Sequence, residues 1–103
     1  MSAWAPADDV RYPADTVAYT GTAGTTDAVW AKGPSKILVF ATTAAYVKVV
    51  NASDGVATVG STPVPANTPI VLEVPAAFAA FWLSAVQIAA GGNVYAKPGE
   101  LVV

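Results

Sequence analysis

Turn-forming residues cut this chain into short extended runs, and that punctuation narrows its fold class before any other feature does. Eight prolines and eight glycines are spread over 103 residues. Between them lie runs rich in β-branched and aromatic residues: 15–20 (DTVAYT), 27–31 (DAVWA), 36–43 (KILVFATT), 45–50 (AYVKVV), 56–59 (VATV) and 70–74 (IVLEV). Val17 and Tyr19 fall on one side of an alternating run, as in a half-buried strand. Residues 51–55 (NASDG) carry dense turn chemistry, with Asp-Gly suited to positive φ, and this predicts a hairpin between 45–50 and 56–59. Pro63, Pro65 and Pro69 exclude the next segment from a central strand, because proline lacks the N–H that a ladder needs.

Residues 76–90 admit two periods. Phe78, Phe81, Trp82, Ala85 and Ala89 share a helical face, with Pro75 and Gly91 as start and stop signals. The same stretch alternates as a strand, Trp82, Ser84, Val86 and Ile88 against Leu83, Ala85, Gln87 and Ala89. Extended neighbours on both sides favour the strand, closed by a turn at Gly91-Gly92-Asn93 and a hairpin partner at Val94-Tyr95-Ala96. Seven or eight short strands separated by turns are the signature of a sandwich or a small jelly roll. The expected fold is therefore all-β, a single small β-sandwich or jelly-roll-like domain over 16–103. Residues 1–15, rich in Pro, Ala and Asp, read as an extended N-terminal arm outside the core.

Length allows one domain, and composition limits its core. Alanine (22) and valine (16) supply most of the 54 % hydrophobic content, leaving three Ile, four Leu, one Met and ten aromatics. Cysteine and histidine are absent, which excludes disulfides, thiolate nucleophiles, imidazole bases and Cys/His metal sites. A net charge of −2 with four Lys and one Arg provides no basic stripe for phosphates, so direct nucleic-acid binding is not expected. The N-terminus lacks the basic and apolar regions of a secretory signal. Residues 74–96 carry no charge, but Pro75 and Gly91-Gly92 bound an apolar part of 15 residues. A spanning helix needs about 20, so no membrane span is expected.

No residue pattern assigns catalysis. Ser35 and Lys36 are adjacent and point to opposite faces of a strand, and no Ser lies three residues before a Lys. The carboxylates Asp8, Asp9, Asp15, Asp27, Asp54, Glu73 and Glu100 read as solvated or turn-forming groups, not as an acid–base pair. Gly21 and Gly24 lack the rest of a phosphate loop, and Asp8-Asp9 do not extend into a calcium loop. Asn51-Ala52-Ser53 matches a glycosylation sequon but sits in turn chemistry. The expected protein is non-enzymatic, with no cofactor and no metal.

Charge is distributed unevenly. Residues 1–36 hold seven charges and residues 37–96 only three, Lys48, Asp54 and Glu73. Three charges cannot cover the surface of an ordinary monomer, where roughly a quarter to a third of residues are charged. Alanine, valine and threonine must be exposed, and such surfaces mark binding faces. The chain is expected to live inside an assembly, as a homo-oligomer (dimer or trimer) or on a larger lattice.

Several elements of residues 43–100 bear on that assembly. They are Ala45-Tyr46-Val47-Lys48-Val49, then Ala57-Thr58 leading to Pro63-Val64-Pro65-Ala66-Asn67-Thr68-Pro69. Glu73-Val74-Pro75, the Gly91-Gly92 turn and Pro98-Gly99-Glu100 complete the set. In this rhythm the chain resembles small β-sandwich virion proteins of tailed bacteriophages, the capsid decoration or cement type. The resemblance implies a structural role at the capsid surface of the virion, with the major capsid protein as partner. A phage head-fibre, tail or adsorption component that binds host carbohydrate is the alternative. Aromatic anchors dominate such contacts, and Trp4, Tyr12, Trp30, Phe81 and Trp82 are the expected interface residues, with Trp4 and Tyr12 carried by the arm.

Overall fold

A computed structural model describes residues 3–51 and 55–102 as ten strands in two antiparallel sheets, with no helix among them. The strands are β1 (Ala3–Pro6), β2 (Asp15–Tyr19), β3 (Gly24–Thr25), β4 (Trp30–Ala31) and β5 (Lys36–Ala41). They continue with β6 (Ala45–Val50), β7 (Thr62–Val64), β8 (Ile70–Glu73), β9 (Ala80–Gln87) and β10 (Gly92–Val102). In the first sheet β10 pairs with β5, and β5 with β8; the other edge of β10 takes β2 at one end and β1 at the other. In the second sheet β9 pairs with β6, and β6 with β7; the other edge of β9 takes β3 and then β4.

Both sheets thus have four strand positions, and the pairings nest around the β6–β7 connection. β6 meets β7, β5 meets β8, β3 and β4 meet β9, and β2 meets β10. This is one long hairpin rolled over on itself, the order of a jelly roll. Alternation sets the core between the layers. On β5, Ile37, Val39 and Ala41 are buried while Lys36, Leu38 and Phe40 are half-buried on the other side. Val94 and Ala96 of β10, Leu83 and Ala85 of β9, and Val47 of β6 fill the same interior.

Local chemistry explains where prolines sit. Pro63 lies on β7, a three-residue edge strand, where its missing N–H costs no ladder bond. Pro98 lies within the long central strand β10. Its carbonyl accepts from the Ala7 N–H at 3.0 Å, so its nitrogen faces the same edge, at the gap between β1 and β2. No interstrand donor is lost there.

The structure changes three expectations. Residues 56–59 form no strand; β6 finds its partners in β7 and β9 instead of a local hairpin. The turn expected at 51–55 lies partly outside the described residues, as does the sequon. β9 and β10 do not form a hairpin either: they belong to different sheets, and Gly91 is part of a crossover between layers. The arm is extended where β1 pairs with residues 99–102 of β10, but it is folded onto the domain, and Tyr12 belongs to the core. The strand reading of residues 76–90 holds for β9, while residues 76–79 and 88–90 lie outside any strand.

Candidate assembly interface

The outward faces of the two sheets are built from the same alternation but finish differently. On the second sheet, Tyr46, Lys48 and Val50 of β6 stand opposite Val86, Ser84 and Trp82 of β9. The connection from β6 to β7 passes over this face. The Ala57 N–H donates to Ser84 Oγ at 2.9 Å, and that hydroxyl donates to the Gly24 carbonyl at 2.8 Å. Val50, Ala57, Ser84 and Val86 are all buried on this side, although none belongs to the central core cluster. This outer face is largely closed by the chain itself.

Among the described residues, the first sheet has no such cover. Its outward rows follow from the register: Thr16, Tyr95 and Phe40 across β2, β10 and β5, then Lys97, Leu38 and Val71 across β10, β5 and β8. Lys36 and Glu73 continue the face, and Trp4 of β1 lies across Gly99. A Cβ at position 99 would meet the Trp4 ring and the Ala5 carbonyl at about 2.5 Å, so only glycine allows that ring to lie flat on the strand. Tyr95 is 49 % exposed, and Phe40, Leu38 and Val71 are half-buried. A shallow hollow of ≈ 180 Å³ opens between Phe40, Leu38, Tyr95, Thr16 and Ala14.

Charges on this face are neutralised within the chain. Lys36 Nζ lies 3.3 Å from Glu73 Oε1, and Lys97 Nζ lies 2.7 Å from both Asp9 Oδ1 and the Tyr12 carbonyl. The Lys97 side chain is mostly covered, which leaves its stem as apolar surface.

The five aromatics expected at an interface divide into two groups. Trp30 and Phe81 are fully buried, facing each other across β4 and β9 with ring centroids 5.7 Å apart. The Trp30 Nε1–H donates to the Pro13 carbonyl, and the Tyr12 hydroxyl donates to the Lys32 carbonyl. These three residues are core: each ring enters the apolar interior, and the polar atoms of Trp30 and Tyr12 find backbone acceptors. Trp4 and Trp82 remain partly exposed, on the outward faces of different sheets. Sequence reasoning missed Leu38, Phe40, Val71 and Tyr95. Its available signal was a strand apolar on both faces: Ile37, Val39 and Ala41 suffice for the core side, so Leu38 and Phe40 imply a second covered side.

Two grooves flank Glu73. One, ≈ 520 Å³, runs between β6 and β8 past Lys48, Ser61 and Leu72; the other, ≈ 600 Å³, lies between Lys32, Ser35 and Phe78. Among the described residues, Glu73 is the one carboxylate that lines either groove. Ser35 donates from both its N–H and its hydroxyl to Glu100, and the hydroxyl bond is the main reason that the Glu100 carboxyl lies below its ordinary range. Asp8 is also lowered, chiefly by the backbone N–H of Arg11. The Asp8–Arg11 contact closes a turn after β1, and the Ser35–Glu100 contact ties the residue before β5 to β10. Among the described residues no group of three or more metal-binding side chains gathers, and no helix is long and apolar enough to cross a membrane. The chain matches no family model, no curated protein and no solved structure.

Proposed function

We propose that this protein is a non-enzymatic structural component of a multi-subunit particle, a virion decoration (cement) protein on the outer surface of a phage head. The observation that carries the reading is the uncovered outward face of the first sheet. It presents Phe40, Leu38, Val71 and Tyr95, and its lysines are already paired. Interface centres are depleted in free charge and enriched in aromatics in this way. The jelly-roll order agrees with the reading, since capsid proteins are among those that use it. The major capsid protein is the proposed partner, and the protein acts as a homo-oligomer.

Fractionation tests this. Phage heads assembled without the protein are incubated with the purified chain and separated on a density gradient. Co-migration at a saturable, regular stoichiometry is expected. A flat face with Tyr95, Phe40 and Trp4 is also what a sugar-stacking platform needs. Binding on a glycan array with no binding to heads would overturn the proposal in favour of an adsorption component.

A further inference from the structure

We infer that the uncovered face of the first sheet is a self-docking surface, on which a second copy of this chain packs sheet to sheet. The inference rests on the proposal of an assembled structural protein and deepens it by assigning the partner of that face. Two observations select a second copy over other occupants.

The first is charge. An isologous contact places one patch against itself, so any uncompensated charge meets its like. Here Lys36 is held by Glu73 and Lys97 by Asp9, so a copy facing this surface meets neutralised pairs around an apolar centre. A polyanion or an anionic lipid surface would find no free cation in the pairs of this face to bind.

The second is size. The strand residues of β1, β2, β5, β8 and β10, at a rise of ~3.3 Å and a spacing of ~4.8 Å, give a flat area of ~480 Å² per copy. Two copies then bury ~950 Å², the size of a weak, reversible contact. The hollow of ≈ 180 Å³ beside Phe40 has room for one aromatic ring; an apolar cavity of about 150 Å³ takes benzene. Tyr95, the most exposed ring on the face, is the group to fill it from the partner.

Sedimentation equilibrium of the full chain between 1 and 100 µM, in low salt and in about 1 M salt, reads the association. Dimers that persist in high salt are expected, because apolar contact does not depend on the Debye length. Tyr95→Glu and Val71→Glu, each checked for folding by circular dichroism, should raise the dissociation constant roughly thirtyfold, the equivalent of about 2 kcal/mol for a buried anchor. Val59→Glu, on the exposed connection that leads over the second sheet, should leave it unchanged. A wild-type monomer at 100 µM would overturn the inference, and so would association that both folded variants retain. The two proposals fail separately. Loss of head binding in Tyr95→Glu with a wild-type monomer means that the capsid covers this face: the self-docking inference and the homo-oligomer fall, and the decoration role stands. A dimer abolished by Tyr95→Glu in a protein that never binds heads leaves the inference standing and removes the decoration role.

Discussion

The outward faces of the two sheets start from equivalent strands and end in opposite states. On the second sheet, the connection from β6 to β7 supplies the cover, and a serine hydroxyl joins that cover to β3. On the first sheet, the corresponding central strands carry Phe40 and Leu38 half-buried and Tyr95 exposed, with no comparable hydrogen-bonded cover among the described residues. The lesson is that a small domain closes an apolar sheet face either with its own loop or with another molecule. The first solution leaves a polar anchor such as Ser84 buried; the second leaves rings half-exposed and charges paired off.

The largest test of this contrast removes the anchor. Ser84→Val leaves the Ala57 N–H and the Gly24 carbonyl without their partner in a buried site, and each such group costs about 1–3 kcal/mol. A loss of about 3 kcal/mol is expected, lowering Tm by more than ~12 °C. A change under ~2 °C in a thermal melt would show that the cover is not held through Ser84.

Next comes the corner where Trp4 lies on β10. Gly99→Ala places a methyl group into the Trp4 ring and the Ala5 carbonyl, an overpacking that costs about 1–3 kcal/mol. The shift is expected to detach β1 without unfolding the sandwich, read as faster hydrogen exchange in residues 3–6 and a red shift of Trp4 emission. Unchanged emission would mean that the ring is not seated on that glycine.

Substitution on the uncovered face behaves differently. Tyr95→Ser should change the stability of the dilute monomer by no more than about 0.5 kcal/mol, as for an exposed site. It should still weaken association at high concentration. Equal and large losses in both readouts would make Tyr95 an ordinary packing residue and erase the contrast between the faces.

The smallest effect is that of pH. The Glu100 carboxyl is lowered in the folded state by the Ser35 hydroxyl and N–H, so the unfolded chain binds more protons in acid. This contribution is complete above the ordinary glutamate value of about 4.3 and is lost as pH falls through the lower folded value. Asp8, lowered by Arg11, acts in the same direction from a slightly lower starting value. Glu100→Gln should flatten the decline in Tm between about pH 5 and pH 2. An unchanged slope would remove Glu100 from the account.

These contrasts also show which parts of the molecule can be read from sequence. The strands could be read, because alternation and turn residues act over a few positions; β5, β6 and β8 fall within the runs that the pattern marks, and β9 within 76–90. Pairing could not, because a hairpin and a crossover look alike until distant strands compete. β6 and the segment after it lose to the longer ladder between β6 and β9. Tyr12 was hidden for a different reason: it sits between Arg11 and Pro13 in a stretch with no alternation, and its burial depends on Lys32 and Gly33, distant in sequence. The uneven charge distribution pointed to an exposed apolar surface, but the location of that surface depends on which outer face the connection at 55–61 covers. No local pattern encodes that choice.

Side-chain footprinting over a concentration series tests the central claim most directly, since it reads both outer faces in one sample. With hydroxyl radicals as the probe, oxidation of Tyr95 and Phe40 is expected to fall steeply between 1 and 100 µM protein. Tyr46 and Trp82, on the opposite sheet, should stay constant. Protection of Tyr46 and Trp82 with Tyr95 and Phe40 unchanged would place the contact on the wrong face and contradict the account.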